Sequence, residues 1–232
     1  MARKGRSLWR LRLLGAAVLL VAATLAWGWW TLRYWTPPRG AYPLQGVEVG
    51  AADGGVDWRA LKAVGADFAY LDASASVFAR DAAFVRNLEE ARAAKLQVGA
   101  VHRYDPCQPA HRQAANFVTV VPRDAALLPP AVELDRLADD CPTRVSDASV
   151  ESELTTFLNE VETHTGKPVI LKVTARFQKR YRVATRIDRN LWLVRTWLAP
   201  DYAGRPWALW TANAALATEA SEGTLRWVVV QP

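Results

Sequence analysis

No acidic residue occurs in the first 33 positions of this 232-residue chain, although that stretch carries Arg3, Lys4, Arg6, Arg10, Arg12 and Arg33. Beyond it the charge excess vanishes. With those six removed from the 29 basic residues, 23 stand against 23 acids, so the formal +6 belongs to the N-terminus. A nucleic-acid binder keeps its positive charge on the folded domain, and that reading is set aside. Cysteine is nearly absent. Neither Cys107 nor Cys141 has a cysteine or histidine at metal-ligand spacing, which argues against zinc, and no metal or cofactor is expected. The chain also lacks internal repeats, low-complexity segments and a phosphate-binding loop. Half of it is hydrophobic (51%), enough for a sizeable core, which excludes disorder.

The charge-poor stretch from Leu13 to Leu32 is the longest apolar run. At about 1.5 Å per residue its 20 residues match a hydrocarbon core of roughly 30 Å. Basic residues precede it, and Trp27, Trp29 and Trp30 sit where an interfacial aromatic belt would lie. Residues 1–35 therefore read as a basic cytoplasmic tail and a transmembrane anchor. Everything after Trp35 is then exported, which puts the chain in the cytoplasmic membrane as a single-pass protein. A cleaved signal peptide is the alternative, because Thr24-Leu25-Ala26 loosely resembles a cleavage site. Residues 36–43, with Pro37, Pro38 and Pro43, read as a stiff linker, leaving 44–232 as the exported domain. In an oxidising compartment a lone cysteine pair forms a disulfide, two buried free thiols being the alternative.

Within that domain eight short apolar runs predict strands at 44–50, 67–73, 97–103, 130–135, 168–174, 191–196, 206–211 and 225–230. Helical patterns separate the first five: 57–65, capped by Asp57, then 80–96, 109–121 and 147–166, the last closed by Gly166. The last three strands leave little room for helices. The pattern predicts an α/β fold, a TIM-like barrel with an irregular final third, with a doubly wound open sheet as the alternative.

Active sites of such barrels lie at the C-terminal ends of the strands. Acids gather there: Glu48 on strand one, Asp72 on strand two, Asp105 after strand three, and Glu133 and Asp135 on strand four. Residues two apart on a strand share a face, so Glu133 and Asp135 are expected to point together into the barrel mouth. Carboxylates clustered in a sugar-sized cleft are the equipment of glycoside hydrolysis, one protonated and one ionised.

The ordered segments GVEVGAADGGVDW, KLQVGAVHRYDP, LPPAVELD, TGKPVILKVT and RPWALWTAN resemble the glycoside hydrolase family 25 lysozymes. The resemblance spans roughly 44–232 and implies a (β/α)5(β)3 barrel that cuts peptidoglycan. Several positions depart from the family pattern. Glu48 stands for its first-strand Asp, Gly50 for the following Ser, and Ala75 for a Glu. Glu133 and Asp135 exchange its Asp and Glu, Thr211 replaces a Gln, and Leu225-Arg226 falls where the family has Val-Asp. The resemblance implies Asp135 as general acid, with Glu133 and Glu48 supplying negative charge. Asp72, His102, Tyr104, Trp207 and Trp210 are the candidates for holding the sugar. Peptidoglycan is the expected partner and the chain a monomer. Two functions follow, a membrane-anchored muramidase or an impaired member kept for binding or scaffolding. The other tryptophans read as core, and the basic stretch 176–189 as a solvated helix and loop.

Overall fold

A computed structural model describes residues 3–232; nothing is described of the side chains of Arg3, Lys4, Arg6 and Arg10. Two units result. Residues up to 35 form one, the single helix α1 (Arg3–Arg33). Its segment Arg12–Arg33 is long and apolar enough to cross a membrane, with none of it buried.

Residues 36–232 form the other unit. The chain runs through β1 (Gln45–Val49), α2 (Trp58–Ala63), β2 (Phe68–Ala75), β3 (Ala79–Arg80), α3 (Phe84–Ala93) and β4 (Gln97–Arg103). Next come α4 (Ala110–Val120), β5 (Ala131–Leu134), α5 (Asp147–Thr165), β6 (Ile170–Val173), α6 (Ala175–Tyr181) and α7 (Val183–Arg186). It ends with β7 (Leu191–Val194), β8 (Leu209–Leu216) and β9 (Leu225–Val230). Pairing of β1 with both β2 and β9 closes eight strands into a barrel, and β3 is a short flap hydrogen-bonded to the end of β2. All barrel neighbours run parallel except β9, which is antiparallel to β8 and β1. The start of β9 therefore lies beside the C-terminal end of β1, with Arg226 in register with Glu48.

Local chemistry explains the helix ends. Asp57 accepts from the Arg59 and Ala60 amides, Ser146 accepts from the Ser149 amide, and Gly166 closes α5 in the left-handed conformation (φ 69°). Residues 36–43 are not a free linker. Arg39 donates to Pro43 O and Asp67, and Gln45 Nε2 donates to the carbonyls of Pro37 and Tyr42, tying the segment to the barrel. The predicted seventh strand is displaced, running over Leu209–Leu216 rather than 206–211.

Strand alternation divides the barrel interior into two layers. Phe68, Tyr70, Val101, Ala131, Ile170, Trp192, Leu209 and Val228 form its apolar plug. Two residues further toward the C-terminal ends of their strands, the same faces carry Asp72, Arg103, Glu133 and Lys172.

Candidate active site

Register brings the charged residues together. Glu133 lies opposite Arg103 on one side and Lys172 on the other, so three neighbouring strands present a cation, an acid and a cation in a row. Lys172 Nζ lies 3.1 Å from Glu133 Oε1 and 2.5 Å from Glu48 Oε1. Arg103 Nε donates to the other Glu133 oxygen at 3.1 Å. Across the mouth Arg226 reaches Asp53 and Asp72 at 3.0 and 3.1 Å and Glu48 Oε1 at 3.4 Å. The mouth is thus an ion-pair lattice of four carboxylates and three cations, with Lys172 and Glu48 at 2% and 0% exposure. Lys172 Nζ also stands 5.1 Å from the centroid of the Trp192 ring, the top of the apolar plug.

Protonation follows from these contacts. Burial works against the Lys172 ammonium, but Glu48 and Glu133 outweigh it and raise its pKa above the usual lysine value. Burial likewise pushes Glu133 up, yet Lys172 and Arg103 prevail and hold it below the carboxylate range. Asp72 goes the other way. Burial and the Glu48 charge raise it to about 6, against the opposing pull of Arg226 and Lys172. Glu48 Oε2 and Arg226 Nε are buried without a hydrogen-bond partner, a cost of the crowded lattice.

Glu48, Glu133 and Asp72 meet in the barrel mouth, but other candidates lie elsewhere. Asp135 follows the last residue of β5, where the strand alternation no longer governs direction. Its carboxylate, 45% exposed, is held by Arg176 at 2.9 and 3.1 Å, apart from the lattice. His102 is fully buried on the outer face of the barrel, hydrogen-bonded to Ser74 Oγ (2.8 Å) and Gln113 and stacked on Phe157. Burial lowers its pKa to about 4, which keeps it neutral. Tyr104, 2% exposed, packs on the same Phe157. Strand parity explains His102, which alternates with the inward-facing Val101 and Arg103, whereas Tyr104 follows the end of β4. Trp210 is also buried, its indole donating to Arg195 O, and half-buried Trp207 packs against it and Tyr42. The side chains of His102, Tyr104 and Trp210 are thus buried away from the open face of the mouth. Asp105 anchors the rim, accepting from Arg136 (2.7 Å) and from the Cys107 amide.

Cys107 and Cys141 form a disulfide with Cα atoms 5.3 Å apart, joining the segments that follow β4 and β5. Four residues of the basic stretch form ion pairs, Arg176 with Asp135, Arg180 with Asp139 and Asp147, Arg186 with Glu151, and Arg189 with Glu162. Among the described residues no group of three or more His, Cys, Asp or Glu is arranged to hold a metal ion.

The family described as Glycosyl hydrolases family 25 matches residues 47–214, most of the barrel. The chain belongs to that family. Solved structures agree on the fold. A family 25 glycosyl hydrolase from Bacillus anthracis superposes with a TM-score of 0.77 at 24% identity, covering 86% of this chain and 93% of its own. The bacterial lysozyme from Streptomyces coelicolor gives 0.73 at 20% identity over 82% and 92%. The Clostridium perfringens spore cortex lytic enzyme SleM gives 0.72 at 18% over 84% and 69%. Among curated proteins none is significantly similar in sequence.

Sequence reasoning missed Lys172, Arg103 and the ionic partners of Arg226. Lys172 left a signal, a lysine inside the apolar run PVILKVT sharing parity with Ile170.

Proposed function

We propose that this chain is a family 25 barrel kept for binding peptidoglycan, in which the acids of the mouth serve structure instead of turnover. One observation carries the reading: Lys172 Nζ stands between Glu48 and Glu133. Glycoside hydrolysis needs one carboxyl that delivers a proton and one carboxylate that meets the positive charge forming at the anomeric carbon. Here the negative charge of Glu133 is already met by a buried ammonium, and Arg103 takes its other oxygen. A developing oxocarbenium ion would meet fixed positive charge from Lys172 and Arg103 beside it, the reverse of what electrostatic catalysis requires.

A muramidase reading draws support from one feature. Asp72, with a pKa near 6 beside the ionised Glu133, has the protonation of a general acid, and Arg103 lies near both carboxylates. In that reading Asp72 takes the role that the resemblance assigns to Asp135, whose carboxylate is engaged by Arg176.

The N-terminal helix anchors the barrel on the outer side of the cytoplasmic membrane in this account. The 20 uncharged residues between Arg12 and Arg33 support the span. A disulfide in the barrel accords with an oxidising compartment. Co-sedimentation of the full-length protein, in detergent micelles, with purified sacculi tests the binding claim. Saturable pelleting is expected, and a protein that stays in the supernatant at all sacculus concentrations overturns it.

A further inference from the structure

A cavity of about 160 Å³ opens at the rim, lined by Asp72, Ser74, Ala75, Arg80, Asp81 and Arg103, with Ala79 at its edge. Ligand pockets for whole small molecules run upward from roughly 300 Å³, so this space suits one substituent of a larger polymer. The two acids that line it are occupied. Asp72 accepts from Arg226, and Asp81 accepts from the Ala51 and Ala83 amides at 2.7 and 2.9 Å. Its two guanidiniums are occupied only in part. Among the described residues Arg80 is held through Nε alone, which donates to Asn116 Oδ1 at 3.1 Å. Arg103 uses Nε on Glu133, its NH2 stands 3.8 Å from Asp72, and its NH1 has no hydrogen-bond partner among the described residues. Neighbouring structure holds both arginines in place. Asn116, 5% exposed, also donates to Ser76 O and Ala79 O at the β2–β3 turn, and register sets Arg80 and Arg103 on opposite sides of the end of β2. The unmet capacity of the cavity is therefore for donating hydrogen bonds, from two cations, to a small acceptor. Carboxylate matches a guanidinium fork in both charge and geometry.

We propose that this cavity captures a carboxylate carried by the cell-wall polymer, with Arg80 and Arg103 as its ligands. The inference rests on the binding reading above and specifies what that binding recognises. Such a group is available on the peptide stems, or on the glycan wherever a stem has been removed, and the test separates the two.

The test measures the apparent dissociation constant of the full-length protein, in detergent micelles, on intact, amidated and amidase-stripped cell wall, and of two variants on intact sacculi. Wild-type protein should bind intact sacculi and lose at least tenfold in affinity on sacculi whose carboxylates have been amidated with carbodiimide and an amine. An amidase that strips the peptides frees the muramic carboxyl that each stem had masked, so stripped strands that bind before but not after carbodiimide amidation assign the carboxylate to the glycan, and stripped strands left unbound assign it to the stems. An Arg80→Gln/Arg103→Gln variant should bind intact sacculi as weakly as wild type binds amidated ones, with Arg103→Lys intermediate. Equal binding of wild type to intact and amidated sacculi overturns the carboxylate site while leaving the binding reading intact. No binding of wild type to any sacculi overturns both. The amidation arm uses unmodified protein, so the outcome does not depend on the folding of a variant.

Discussion

Lys172 Nζ lies 2.5 Å from Glu48 Oε1, on a strand separated from β1 by three others on either side of the barrel, with both side chains shut off from solvent. Burying two charges costs several kcal/mol per ion unless each is satisfied by the other. The pair also turns to Glu133 and Arg226, so a single ammonium is one of three cations that close the acid ring. Removing it exposes what the lattice offsets. Lys172→Met should destabilise the protein by about 3–5 kcal/mol near neutral pH, because Glu48 and Glu133 remain buried without their common partner. The loss should shrink as pH falls and Glu133 takes up a proton, and the double variant Lys172→Met/Glu48→Gln should recover part of it. Chemical denaturation of the four proteins across pH measures this; an additive double variant would show that the two residues are not coupled.

Gly50 and Asp72 are coupled by packing. A Cβ built on Gly50 would lie 2.3 Å from Asp72 Oδ2, so the Ser of the family pattern has no room while Asp72 keeps its contact with Arg226. Gly50→Ser should cost about 1–3 kcal/mol by overpacking, and Asp72→Ala in the same chain should relieve most of that cost. The double-mutant cycle reads the coupling directly.

Asp72 should leave a mark on the pH dependence of stability. Its folded pKa, near 6, lies above the ordinary aspartate value of 3.8. Between those values the folded state binds the extra proton, so the Asp72 contribution favours folding at low pH and is lost as pH rises from about 4 to 6. A shift of about two units corresponds to at most about 3 kcal/mol. Glu133, shifted downward, contributes in the opposite sense and loses its contribution as the pH falls through its lowered pKa. The stability of wild type relative to Asp72→Asn should therefore decline by up to that amount across the window, as measured by urea unfolding at closely spaced pH values. A difference that stays flat from pH 4 to 7 would show that Asp72 titrates normally.

Reduction of the Cys107–Cys141 bridge opens a loop of 34 residues at the rim of the mouth. In the chain-entropy account that should lower stability by about 3–4 kcal/mol. Denaturation with and without a thiol reductant checks it, with alkylation and mass measurement confirming the state of both cysteines.

The architecture was legible because each strand is a short apolar run bounded by helix caps or turn residues, and burial of both faces makes such runs stand out. Two elements escaped. The flap β3 is only Ala79–Arg80, too short to show a pattern, and β8 continues past its apolar start through Asn213 to Leu216. The site was legible by position but not by partner. Glu48, Asp72 and Glu133 were found because acids at strand ends are conspicuous. Lys172, Arg103 and Arg226 complete the lattice through register between strands far apart in sequence, which no local pattern reports. The pairing of Glu133 with Asp135 on one face failed for a simpler reason: alternation ends where β5 ends, at Leu134.

Turnover on purified sacculi tests the central claim most directly. Full-length wild-type protein, in detergent micelles, would be incubated with sacculi across pH 4 to 8, and soluble muropeptides and new reducing ends would be quantified by chromatography. The disarmed lattice predicts no release above that of a sample without protein at any pH, including near 6, where Asp72 is half protonated. Release by wild type that is lost in Asp72→Asn or Asp135→Asn, with the fold retained, would contradict it and make the chain a working muramidase.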